Sequence, residues 1–71
     1  MNVISSRLLL RSKWTATNRF HDETHFLVQS VLHDTHGEVK SVVLQGINNR
    51  HHYEMPINQL EDSDRWRIGW T

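Results

Sequence analysis

A chain of 71 residues, with eight lysines and arginines against eight aspartates and glutamates, is one small domain of zero net charge. Bulk electrostatic binding of nucleic acid draws on a basic excess that this balance does not provide. The chain contains no cysteine, which excludes disulfides, zinc ribbons and thiol nucleophiles.

In chain order, residues 1–6 are expected as a flexible N-terminal tail and residues 7–71 as a single small β domain. The apolar run Leu8-Leu9-Leu10 is short and is followed at once by Arg11, a poor match to a secretory signal. No stretch approaches the roughly 20 apolar residues of a membrane span, so cytoplasmic residence is the expectation. Arg7, Arg11, Lys13 and Arg19 precede the first acid, Asp22, whereas Glu54, Glu61, Asp62 and Asp64 fall late. These groups are expected to pair in the fold or lie in water, with a basic contact surface as the alternative. A strand from Leu8 to Ala16 is expected to join the sheet formed by the middle of the chain.

That middle reads as a meander. Thr24 to His33 carries Phe26, Leu27, Val28, Val31 and Leu32, a β-rich run too short for an independent helix. Asp34-Thr35-His36-Gly37 then has the chemistry of a three-residue hairpin loop closed by a glycine bulge. Val39 to Ile47 returns, Asn48-Asn49 is expected as a two-residue loop with positive φ at both positions, and Arg50 to Ile57 follows. Pro56 cannot donate to a ladder and marks the end of an edge strand.

The turns predict a register. Val28 faces Leu44, Ser30 faces Val42 and Phe26 faces Gly46, while Leu44 faces Tyr53 and Val42 faces Met55. One sheet face then holds Phe26, Val28, Leu32, Val42, Leu44, Tyr53 and Met55, on which both hairpins agree. Gly46, between Phe26 and His51, is expected to be covered by neighbouring rings. The other face mixes Leu27, Val31, Val39 and Val43 with Gln29, Gln45, His52 and Glu54. Its four aliphatics suggest a partial cover from the N-terminal segment through Trp14 or from the C-terminal tail. The fold class is mainly β, an antiparallel meander of three to four strands, with an SH3-like curled sheet or barrel as a further form. At the C-terminus a short helix over Asn58–Leu60 or Asp62–Arg67 precedes an extended end. Alternatively Trp66, Ile68 and Trp70 alternate on a last strand, with Gly69 at a bulge.

Six histidines raise the question of metal, but the spacing does not answer it. His51 and His52 point to opposite faces of one strand, His25 and His52 are separated by a strand, and only His33 and His36 flank a common turn. No metal ligand set and no cofactor is assigned. Ser5, Ser12 and Ser41 lack a nucleophile context, and Gly37, Gly46 and Gly69 are too scattered for a phosphate loop, so no enzyme is expected. What remains is aromatic rings beside cations. The candidate binding residues are Lys13, Trp14, Arg65, Trp66, Arg67 and Trp70, with the tryptophans also required for a small core.

Leu8-Leu9-Leu10 with Ser12-Lys13-Trp14-Thr15-Ala16, His25-Phe26, Asp34 with Gly37-Glu38, and Tyr53 with Pro56 form a wider pattern. Leu60 with Asp62 and the finish Trp66-x-x-Gly69-Trp70 complete it. From Leu8 to Trp70 the chain resembles a family of small tryptophan-rich bacterial proteins classed as a domain of unknown function. Ser63 stands where that pattern has proline. The resemblance implies no activity, cofactor or catalytic residue. The functional expectation is therefore a non-enzymatic interaction module that binds a protein partner through a sheet edge or the mixed face. The alternatives are a single-stranded DNA or RNA binder using the aromatic and basic residues, and histidine-based metal binding through His33 and His36. No membrane partner is implied, and the oligomeric state is left open.

Overall fold

A computed structural model describes all 71 residues. Five antiparallel strands form one sheet: β1 (Lys13–Phe20), β2 (Glu23–His33), β3 (Val39–Gly46), β4 (His52–Pro56) and β5 (Trp66–Ile68). Two single-turn helices, α1 (Ser6–Leu9) and α2 (Ile57–Leu60), flank the strands. The spatial order is β4-β3-β2-β1-β5, so β4 and β5 are the edge strands and the sheet is open rather than a barrel. The fold is thus the mainly β meander read from the sequence, with one strand more. The strand expected over Leu8–Ala16 is displaced. The leucine run turns through α1, which puts Leu9 into the core and leaves Leu8 and Leu10 exposed, and β1 starts only at Lys13.

The Asp34 hairpin forms as its residues dictate. The Asp34 carboxylate accepts the backbone N–H groups of His36 (2.8 Å) and Glu38 (3.0 Å), and Gly37 takes φ +81°. Phe26 faces Gly46 and Val28 faces Leu44, as the turn predicts. Two bulges then alter the middle of the ladder. Gln29 is an extra residue on β2, so Ser30 faces Val43 and Val31 faces Val42, and Lys40 is an extra residue on β3, which restores the register at His33 and Val39. Each bulge reverses the side-chain alternation beyond it. Val31 and Val39 consequently pack against the core, whereas Leu32, expected inside, is 37% exposed. Nothing in residue type marks Gln29 or Lys40 as bulged.

The β3–β4 connection keeps its predicted register, with Leu44 against Tyr53 and Val42 against Met55, but not its predicted turn. The loop spans four residues, 47–50. The Arg50 N–H donates to the Gly46 carbonyl, the Gly46 N–H donates to the His51 carbonyl, and only Arg50 has positive φ (+61°). Two- and four-residue loops centred on the same pair leave identical partners, which is why the register survived. Glu23 fixes this loop. Its carboxylate is 1% exposed and accepts the Asn48 backbone N–H (2.7 Å), the Asn48 side-chain amide (2.9 Å) and the Asn49 backbone N–H (3.1 Å). The space beside Gly46 is therefore filled by a carboxylate rather than by rings: a Cβ there would lie 2.9 Å from Glu23 Oε1 and 2.5 Å from Asn49 Oδ1. Burial acts to raise the Glu23 pKa, but the backbone N–H groups of Asn49, Asn48 and Thr24 and the Asn48 amide outweigh it and hold the carboxyl below its ordinary value.

β1 and β2 meet in a two-residue turn with positive φ at both His21 (+52°) and Asp22 (+62°), a conformation that histidine and aspartate tolerate better than most residues. Before this turn β1 leaves its partner. Thr15 faces His25 and Phe20 faces Glu23, so residues 16–19 stand against Thr24 alone. The departing stretch follows β5 instead, with Ala16 against Trp66 and the Thr17 N–H donating to the Arg65 carbonyl (2.9 Å).

One face of the sheet carries the core, formed by Trp14, Ala16, Phe26, Val28, Val42, Leu44, Met55 and Trp66. Leu9 from α1 and Leu60 from α2 belong to this core, and Ile4 and Ile57 pack against it. Trp14 and Trp66 are each 3% exposed. A buried indole removes roughly 150–250 Å² from water, about 4–6 kcal/mol at about 25 cal/mol per Å². Residues 1–6, read from the sequence as a tail, lie against the β5 edge. The Asn2 side-chain amide donates to the carbonyls of Leu60 and Trp66 (2.8 Å each), and its backbone N–H donates to the Glu61 carbonyl (2.8 Å).

Candidate functional site

The C-terminal residues divide the tryptophans. The Asp62 carboxylate accepts the Asp64 N–H (3.0 Å) and its carbonyl accepts the N–H groups of Arg65 and Trp66, but the turn so capped stops after one round and the chain extends as β5 instead of the helix expected over Asp62–Arg67. Trp66 faces Ala16 on the core side and Arg67 faces Thr15 on the other. Gly69 takes φ +84° and its N–H donates to the Lys13 carbonyl, so the last residues turn off the strand and fold across the outer face. Thr15 fastens them: its hydroxyl donates to the Gly69 carbonyl (2.7 Å) and accepts the Thr71 N–H (3.1 Å). Trp70 therefore does not continue the alternation of Trp66 and Ile68.

Trp70 comes to rest 44% exposed, with its indole N–H donating to the Phe26 carbonyl at 3.0 Å. The Lys13 ammonium lies 4.7 Å from its ring centroid, a cation–π contact, and the His25 ring is 6.2 Å away. By strand alternation Arg67, Leu27, Val43, Gln45 and His52 share this outer face. Glu54 is its acid; it sits on the far edge strand and accepts the Ser41 hydroxyl (3.3 Å). A tail was expected to cover part of the mixed face, and the C-terminal one does, while the N-terminal one lies on the core side.

The six candidate residues thus separate. Lys13, Arg67 and Trp70 gather on the outer face. Trp14 is buried and offers no ring face to a ligand. Arg65 and Trp66 lie across the sheet, where they help line a groove of about 460 Å³. Charge pairing between the two ends of the sequence is also absent. The one ion pair is local, Arg65 to Asp62 at 3.6 Å, so Arg7, Arg11, Lys13 and Arg19 stand in water. No three histidine, aspartate or glutamate side chains come together as a metal site, and His33 and His36 gain no third ligand. No helix is long and apolar enough to cross a membrane. Sequence reasoning missed Glu23 and Thr15. Glu23 follows a turn that contains no glycine, and the role of Thr15 depends on where the tail lands.

These features define a small open-sheet protein with one face closed over a tryptophan core and the other bearing a single pinned indole. The chain belongs to a family of unknown function, Tryptophan-rich protein (DUF2389), whose model matches residues 12–71. The matched region contains all three tryptophans and begins after α1. No curated protein and no solved structure gives a match to the chain.

Proposed function

We propose that the protein is a non-enzymatic interaction module whose outer sheet face binds a protein partner, with Trp70 as the anchor and Lys13 and Arg67 beside it. The carrying observation is the pinned indole. Trp70 is held at its N–H by the Phe26 carbonyl while nearly half its surface stays in water. Binding then costs little side-chain entropy, and rings of this kind supply most of the energy at interfaces. The face is favoured over the β5 edge because Asn2 already occupies the Trp66 carbonyl and Asp62 the Trp66 N–H. A tagged full-length chain is expected to recover a stoichiometric partner from a native extract. W70A is expected to lose that partner, and Q29A, an exposed change on β2, to keep it. Undiminished recovery by W70A would overturn the reading.

A second reading rests on the same ring beside two cations: single-stranded nucleic acid stacking on Trp70, with Lys13 and Arg67 on phosphates. Oligothymidylate would then quench tryptophan emission at low salt, with a steep loss of affinity as salt rises. Absence of quenching at low salt would end it.

A further inference from the structure

Across the sheet from Trp70, the departure of β1 from β2 opens the groove of about 460 Å³ between residues 16–20 and β4. Phe20 gives it a partly exposed apolar wall over the buried Met55 and Trp66, and Arg19 and Arg65 line it together with Gln59. Three features coincide here. The first is a bulge of unusual size: four residues stand against one of β2, with Ala16 and Thr17 turned to the β5 side instead, and such irregularities re-aim side chains beside binding sites. The second is the adjoining two-residue turn, whose positive φ at His21 and Asp22 sets Phe20 opposite Glu23 and so fixes the far end of the bulge. The third is donors left unspent. Arg19 donates to a backbone carbonyl, that of Asp22 (3.2 Å), and the contact of Arg65 with Asp62 is long and exposed. Asp64 also lines the groove, so two carboxylates balance the two guanidinium groups in number, while each guanidinium keeps most of its five N–H donors unengaged. A guanidinium's planar donors match a carboxylate better than any other common partner.

We propose that this groove binds a small carboxylate with an aromatic or branched apolar body, the body lying on Phe20 and the carboxylate between Arg19 and Arg65. The volume is near the lower end for small-ligand sites, which suits a molecule of about ten to fifteen heavy atoms rather than a folded partner. The site is separate from the Trp70 face, and W70A leaves it intact.

The test is NMR titration of the full-length protein with phenylacetate and, in parallel, with neutral phenylacetamide. Phenylacetate is expected to shift the Met55 methyl, the Trp66 indole and the guanidinium signals of Arg19 and Arg65 saturably, without moving the Trp70 indole. Phenylacetamide is expected to bind about five- to tenfold more weakly, since it loses the charge assistance of both guanidinium contacts at a partly exposed site. R19Q and R65Q, both at exposed positions, are expected to weaken phenylacetate by a similar factor and to leave phenylacetamide unchanged. Equal binding of the acid and the amide, indifference to both substitutions, or no saturable shift at these residues would overturn the proposal.

Discussion

Replacing Glu23 with glutamine keeps the shape of the side chain while removing its charge and one of its two acceptor oxygens. In the native fold those oxygens receive three donors from Asn48 and Asn49 at 2.7–3.1 Å, in a site 1% exposed. A glutamine can turn only one oxygen to them, and its amide then confronts another donor. Hydrogen bonds to a charged group are worth about 1.5–3 kcal/mol each, and an unpaired buried donor costs about 1–3 kcal/mol. Part of this is recovered by relaxation of the exposed loop, leaving a loss of about 2–3 kcal/mol. For a domain of this size that is roughly 10–20 °C in Tm. The pH dependence identifies the cause. The native carboxyl titrates below its unfolded value of about 4.3, so its contribution is fully present above that pH and fades as pH falls through the lower folded value. Thermal unfolding followed by circular dichroism from pH 7 to pH 2.5 should therefore show a large gap between parent and E23Q at neutral pH, closing at the acid end. A gap under about 0.5 kcal/mol at pH 7, or one that persists undiminished at pH 2.5, would refute this account of Glu23.

G46A should be destabilised by about 2–4 kcal/mol, because a Cβ would meet Glu23 Oε1 and Asn49 Oδ1 inside contact distance; urea unfolding reads this directly. The Gln29 bulge makes V31S costly, by about 1–3 kcal/mol, and L32S nearly neutral, the reverse of an unbulged register; urea midpoints of the two variants decide between them. W14A and W66A should each cost about 3–5 kcal/mol and leave little folded protein at 37 °C, whereas W70A should cost about 1–2 kcal/mol, as melting curves of the three will show.

What was legible in the sequence was what local chemistry decides. Asp34 and Gly37 set one hairpin, and the alternation through Val42, Leu44, Tyr53 and Met55 set the core face of the other. The loop at 47–50 shows how a register can be right while the turn is wrong, since the pattern constrains partners rather than backbone angles. Gln29 and Lys40 show the limit of alternation. Paired bulges cancel at the strand ends and leave the misplacements between them and beside them, at Ser30, Val31, Leu32 and Val39. The candidate site was legible as residue types but not as a place. Lys13, Arg67 and Trp70 converge because Gly69 turns the tail and Thr15 fastens it, both tertiary events. Arg65 and Trp66, adjacent in sequence, end on the opposite side of the sheet from Trp70 for the same reason.

Two tryptophans, Trp14 and Trp66, hold the fold, and the third, Trp70, stands exposed on the outer face. Acrylamide quenching of the parent and of W70F tests it most directly. The parent should contain one accessible, red-shifted emitter and two protected ones, and W70F should lose the accessible component while keeping the protected emission. Quenching that is unchanged in W70F, or two accessible tryptophans in the folded parent, would contradict it.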